Sequence, residues 1–238
     1  MVRIYMFVEG VTEQTFADTV LRPHLERFGL YLQGPILIAH ARRRGRVHRG
    51  GAIRYQPMKD DIQRFLKQEK SADVFFTTMV DLYALMQDFP GLGDSEQHRI
   101  NPRQRIEFLE AAFAEDIGDR RFLPHLQLHE FETLLFSDIR CLNSLLENRQ
   151  KQVDELQQIA AQFESPELIN DGPQTAPSKR IIQYIPEYEN LKTTVGPLAT
   201  EHLGIARLRS RCPHFDRWVT QLELLGGVQE TPTPQPLV

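Results

Sequence analysis

Cysteine is scarce in this chain: Cys141 and Cys212 are the only two, far apart and without a CxxC pair. That spacing offers neither a disulfide framework nor a cysteine-ligated zinc cluster. Long apolar runs are missing as well. None approaches the ~18 residues that a membrane-spanning helix requires, so no membrane partner is expected. The chain opens directly on a strand-like stretch, without the pattern of a signal peptide, and the cytoplasm is the expected compartment. There is no GxxxxGK[ST] sequence, so any ATP dependence must come through a partner. Positive charge is not in excess either. A formal net charge of −4 excludes a generally basic nucleic-acid coat and confines nucleic-acid contact to local patches.

What is present is an alternation of strands and helices. Val2-Arg3-Ile4-Tyr5-Met6-Phe7-Val8 is an apolar run stopped by Glu9-Gly10, which fits a parallel strand covered on both faces. Gly10 lets the chain turn sharply, and Glu13 falls in the first turn of the following helix, where a carboxylate suits the dipole. That helix is expected from about Thr12 to Phe28, kinked or divided at Pro23. A second strand is expected over Pro35–Ala39 and a basic loop over Ala41–Gly51. A helix near Pro57–Lys70 and a third strand over Asp73–Val80, ending in Asp81, come next. Pro102 is well placed to open a helix to about Ile117, and a fourth strand lies near Phe122–Leu128.

This order predicts an α/β fold: a small, mostly parallel four-stranded sheet flanked by helices, with a helical C-terminal extension. The expected divisions are an α/β core over residues 1–137, a helical extension packed on it over 138–225, and a disordered tail over 226–238. Helices are expected over Leu142–Phe163, Lys179–Tyr184, Gly196–Leu203 and Pro213–Leu225. The stripe of Phe215, Trp218 and Leu222 on the last of these reads as core packing.

Acids recur at strand ends. Glu9 ends the first strand, Asp81 the third, and Glu130 and Glu132 follow the fourth. In a parallel sheet these ends share the edge where ligands bind. One such acid is an ordinary polar strand end, but converging carboxylates repel one another unless a cation neutralises them. An all-oxygen set favours Mg²⁺ or Mn²⁺, ions that polarise phosphoryl oxygens. His129 and Glu132 share a face if their segment is helical, Glu130 and Glu132 if it is extended. Glu130 is preferred beside the metal and Glu132 as the partner of a basic residue; His125 is given no role. Arg42, Arg43, Arg44 and Arg46 crowd one glycine-bearing loop, either phosphate-contacting or simply solvated. Lys179 and Arg180, on a helix with Ser178 as its expected N-cap, are phosphate clamps or surface ion-pair partners.

Val8-Glu9-Gly10-Val11-Thr12-Glu13, followed by a strand ending in Asp81, resembles the Toprim domain, the metal-binding fold of topoisomerases, primases and OLD-type nucleases. Leu128-His129-Glu130-Phe131-Glu132-Thr133-Leu134-Leu135-Phe136 and Ala176-Pro177-Ser178-Lys179-Arg180-Ile181 resemble the bacterial DUF4276 family of Toprim-like proteins, over roughly Met1 to Leu225. The likeness implies a Toprim-like core, metal-dependent phosphodiester cleavage, a nucleic-acid partner with DNA favoured over RNA, and a partner ATPase in bacterial defence or repair. A homo-oligomer remains open. One departure stands out. The usual second motif is Asp-x-Asp, and here it is Asp81-Leu82-Tyr83.

Glu130 or Glu132 is therefore expected to complete a site in which Glu9 is general base or ligand and Asp81 a ligand; Asp88 is less well placed. A non-catalytic adaptor or sensor for the ATPase and a nucleotide-handling phosphotransferase are the competing readings. Oxygens of Glu9, Asp81 and a third acid within metal-bridging distance favour the enzyme; oxygens splayed apart favour the adaptor.

Overall fold

The computed structural model describes residues 1–38, 54–169 and 175–227. The basic loop, with Arg42, Arg43, Arg44 and Arg46, and all but the first two residues of the expected tail lie outside these. β1 (Val2–Val8) runs parallel to β4 (Val74–Asp81), with Arg3–Val8 against Val74–Met79. Between them come α1 (Val11–Phe16), a π-helical turn (Ala17–Leu21), α2 (Arg22–Glu26), β2 (Leu30–Leu32), β3 (Ile36–Leu37) and α3 (Gln56–Gln68). The break expected at Pro23 takes the form of that π turn. Proline has no N–H for the i−4 carbonyl, and the widened turn just before it absorbs the misfit. After β4 come α4 (Pro102–Ile117), β5 (Phe122–Leu123) and β6 (Leu126–Gln127).

Among the described residues all pairings are parallel, and the sheet has six strands where four were expected. β2 and β3 both pair with β1, and β5 and β6 both pair with β4. The expected fourth strand is thus split into β5 and β6, while the expected second strand is β3 alone and β2 lies before it, outside the span that was expected. Pro35 and Pro124 lie in the two breaks, where they have no N–H to give to a ladder. Hydroxyls of β4 span the second break. Thr77 Oγ1 donates to the Leu123 carbonyl (2.6 Å), while the Thr78 hydroxyl donates to the His125 carbonyl (2.9 Å) and accepts the His125 N–H (3.0 Å).

Alternate β1 residues face two cores, as the two-residue period of a strand requires. Ile4, Met6 and Val8 join residues of α1, α2 and the C-terminal helices, and Phe7 joins residues of α3 and α4. The C-terminal part comprises 3₁₀ turns over Phe131–Ser137 and Ile139–Ser144, then α5 (Gln150–Ala160), α6 (Pro177–Tyr184), α7 (Tyr188–Arg211) and α8 (Pro213–Leu224). Gly204, at φ 70 and ψ 152, breaks α7, a backbone that glycine adopts without a Cβ clash. The Phe16 ring meets Phe131 and Phe215 at 5.6 and 6.0 Å, so the helical part and the sheet share one core. Phe215, Trp218 and Leu222 are buried there, as the stripe implied. Among the described residues no helix is long and apolar enough to cross a membrane.

Candidate functional site

The carboxyl ends of the two central strands bring the acids together. Glu9 follows β1, and Asp81 is the last residue of β4 beside it. Gly10 caps α1 in an ordinary extended conformation, φ −146, so the turn does not demand glycine for its dihedrals. What it requires is space. Glu13 Oε2 accepts the Gly10 N–H at 2.8 Å, and a Cβ on residue 10 would sit 3.1 Å from that oxygen. The absent side chain thus lets Glu13 fold back toward the strand edge.

The segment after β6 delivers the other two acids. His129 lies at φ 64, in the left-handed region that non-glycine residues seldom occupy. Its Nε2 donates to the Glu167 carbonyl at 2.9 Å, and because burial pushes its pKa down to about 4, the ring is neutral and Nδ1 accepts from the Tyr83 hydroxyl at 3.2 Å. The Tyr83 N–H donates to the His129 carbonyl at 3.1 Å. Glu130 then leaves in extended conformation, φ −157, and the chain enters the 3₁₀ turn that carries Glu132. The His129–Glu132 partnership permitted by their spacing does not form, because both His129 nitrogens are engaged elsewhere.

Glu9, Glu13 and Glu132 are 9, 6 and 6% exposed, so three carboxylates share a desolvated edge with Asp81. Asp81 Oδ1 is shut away from solvent without a hydrogen-bond partner. Burial first, then the charges of Glu9, Glu13, Glu132 and Glu130, push the Asp81 carboxyl well above its ordinary range. Glu13 is pushed up to about 7 by burial and by the nearby charges of Glu9 and Glu132. Glu132 also rises to about 7, by burial and by Glu130, against the opposing pull of Lys192, whose Nζ lies 3.6 Å from Oε1. The buried Tyr188 phenol is raised by desolvation and then by Glu132 and Glu130.

Glu130 is differently held. Its carboxylate accepts both the backbone N–H and the hydroxyl of Ser178, the latter at 3.0 Å. Ser178 is therefore not the N-cap of α6, which is Ala176; it is spent on Glu130. On the same helix Lys179 is exposed, and Arg180 Nε donates to the Thr175 carbonyl at 2.8 Å. Asp88 accepts the Tyr55 N–H at 2.9 Å, which ties it to the start of α3.

Sequence reasoning missed three contributors. Glu13 was legible only as a first-turn acid, while Lys192 and Tyr188 come from α7, whose docking against the sheet edge has no local signature. His125 was also passed over. Among the described residues, the trio whose ligand atoms all lie within 4.8 Å of one another is Glu110, His125 and His214, not a trio of the strand-edge acids.

Fold and site together define an α/β protein with a parallel sheet, two-sided helical cover and a desolvated acidic cluster at the carboxyl edge of its central strands. Residues 8–223 match the family described as Domain of unknown function (DUF4276), and the chain belongs to that family. No curated protein and no solved structure matches it.

Proposed function

We propose that the chain is a Toprim-like, divalent-cation-dependent enzyme that cleaves phosphodiesters in nucleic acid, DNA in preference to RNA, in company with a partner ATPase. The observation that carries this reading is the meeting of Glu9, Glu13, Asp81, Glu130 and Glu132 in a desolvated edge where their charges oppose one another. A fold gains nothing from such repulsion unless a cation relieves it. The donor set is entirely oxygen, and Asp81 offers a buried oxygen with no other partner. Both features suit Mg²⁺ or Mn²⁺. Mg²⁺ sites commonly use one or two carboxylates with water and substrate phosphate, so a tight carboxylate trio is not required.

Asp81 and Glu9 would hold the cation, with Glu130 or Glu132 completing the set. Bound there, it would supply charge neutralisation and polarisation of a phosphoryl oxygen. The residues of this chain do the rest. Glu9 takes a proton from the attacking water, Lys192 favours the ionised form of Glu132 and offers a cation to phosphate, and Ser178 fixes the orientation of Glu130. Arg42, Arg43, Arg44, Arg46, Lys179 and Arg180 are the proposed holders of the nucleic-acid backbone.

A second reading, a non-catalytic adaptor or sensor for the ATPase, draws on Tyr83 in place of a second motif acid and on the spread of the strand-edge acids, no three of which, among the described residues, have ligand oxygens all within 4.8 Å of one another. Nuclease assays with Mg²⁺ or Mn²⁺ on plasmid, single-stranded DNA and RNA test the first reading against Glu9→Gln. Cation-dependent cleavage lost in the variant supports it. Absence of cleavage in the wild type with every substrate, despite cation binding, supports the adaptor.

A further inference from the structure

Apart from the strand-edge acids, three side chains from three elements converge. Glu110 stands on α4, His125 in the break between β5 and β6, and His214 in the first turn of α8. His125 Nδ1 lies 3.6 Å, and His214 Nε2 3.0 Å, from Glu110 Oε1. The two histidines are 1 and 2% exposed, and neither ring nitrogen of His125 makes a hydrogen bond of good geometry, Gln127 being the one side chain that interacts with the ring as a weak hydrogen-bonding neighbour. A buried polar group without a partner is rare and asks for a reason. The His125 ring is also fixed in orientation, flat against Trp218 at 4.2 Å and 8° and beside His214 at 5.0 Å. Desolvation, then His214, holds it in the neutral form, which is the form that ligates metals.

We infer that Glu110, His125 and His214 form a buried site for one transition-metal cation of the Zn²⁺ type, separate from the strand-edge acids. Metal–ligand distances of about 2.0–2.2 Å place tetrahedral donor atoms roughly 3.3–3.6 Å apart, close to the two spacings to Glu110. Two imidazoles and a carboxylate suit Zn²⁺ and its neighbours rather than Mg²⁺, which demands oxygen. One carboxylate also offsets half of the cation's charge in a dry setting.

Leu126 closes the remaining side. Its N–H donates to Glu110 Oε1 at 2.9 Å, and its carbonyl, 3.1 Å from His214 Nε2, is a candidate fourth oxygen. Without a cation, His214 Nε2 carries the ring proton and Nδ1 accepts from Arg217 Nη2 at 2.8 Å. On binding, that proton moves to Nδ1, and Arg217 swings back onto Glu107, with which it already pairs at the surface. The cation would pin α8 to α4 and to the segment that runs through β6 into His129 and Glu130.

The test strips the full-length protein with EDTA, then titrates it with Zn²⁺ by calorimetry and with Co²⁺ by visible absorption. With excess Mg²⁺ present to occupy the strand-edge acids, the wild type should bind one equivalent of each tightly, give the intense bands of tetrahedral Co²⁺, and melt at higher temperature with Zn²⁺. Glu110→Gln keeps an acceptor for the Leu126 N–H, and His125→Phe keeps a ring on Trp218. Each should lose roughly 100-fold or more in affinity, beyond what outer-shell changes cost. Asp81→Asn should keep the tetrahedral Co²⁺ bands, whatever it does to binding at the strand edge. The inference is overturned if the wild type binds no stoichiometric Zn²⁺ or Co²⁺, or if Glu110→Gln binds both unchanged. It is equally overturned if Asp81→Asn is the change that abolishes the tetrahedral Co²⁺ bands. Should His125→Phe fail to fold in EDTA melts, Glu110→Gln decides alone.

Discussion

Tyr83 and His129 are bonded to each other twice, through the Tyr83 N–H to the His129 carbonyl at 3.1 Å and through the Tyr83 hydroxyl to His129 Nδ1 at 3.2 Å. This double contact supports a backbone at φ 64, a conformation that costs on the order of 1 kcal/mol or more in a residue with a side chain. The position where a second acid was expected instead helps to aim Glu130. Tyr83→Phe should therefore destabilise the chain by about 1 kcal/mol, the net worth of one hydrogen bond. Tyr83→Asp, which writes the usual Asp-x-Asp pattern, should be the more destabilising of the two and should not raise cleavage. Urea melts and cleavage rates of both variants check this; a gain in activity for Tyr83→Asp would refute the orienting role.

The pH dependence of the cation-free protein follows from Glu13 and Glu132, both pushed up to about 7 from an ordinary 4.5. Between those values the folded chain keeps protons that the unfolded chain has released. Stability from these groups is therefore full below about pH 4.5 and falls as pH rises toward about 7. Melting in EDTA should occur at higher temperature near pH 5 than near pH 8, and the double change Glu13→Gln with Glu132→Gln should shrink that difference. Adding Mg²⁺ near pH 8 should restore much of the lost stability in the wild type.

Asp81→Asn removes a charge that its surroundings oppose. Without cation it should raise the melting temperature by a few degrees, at roughly 2–4 °C per kcal/mol for a chain of this size. In calorimetry with Mn²⁺ the same variant should bind far more weakly than the wild type. Equal binding by both would remove Asp81 from the site.

Glu130 and Glu132 are expected to separate in their effects. Glu130→Gln should abolish cation-dependent cleavage at a stability cost of about 1 kcal/mol, because Gln still accepts the Ser178 N–H while the charge on that bond is lost. Glu132→Gln leaves Lys192 without its carboxylate partner and should slow cleavage less. Rates and melting temperatures of both are the measurement; two fully active variants would place the third ligand elsewhere.

Replacing Arg42, Arg43, Arg44 and Arg46 with Ala should weaken nucleic-acid binding and flatten its salt dependence. Each lost phosphate contact should lower the log–log slope by roughly 0.7–0.9. An unchanged slope would return the loop to solvated surface.

The amino-acid sequence by itself determined what local signals carry. Val2–Val8 read as a buried strand from its apolar run, and Pro102–Ile117 as a helix from Pro102. Asn101 capping at 3.1 Å and Gly118 at φ 71 then fix that helix's ends. It also placed Glu9 and Asp81 at strand ends, because a parallel sheet puts such ends on one edge. It did not reveal β2, a three-residue strand too short for periodicity to register, nor the splitting of the last strand at Pro124. Only the tertiary structure decided which groups face those acids. Glu13 arrives by a side chain folding back over Gly10, Lys192 and Tyr188 by the docking of α7, and Ser178 by α6 turning its first residues toward Glu130. Likewise His125 carried no meaning in a strand break until α8 brought His214 and Trp218 against it. Distance along the chain does not encode distance in space; helix packing on the shared core sets it.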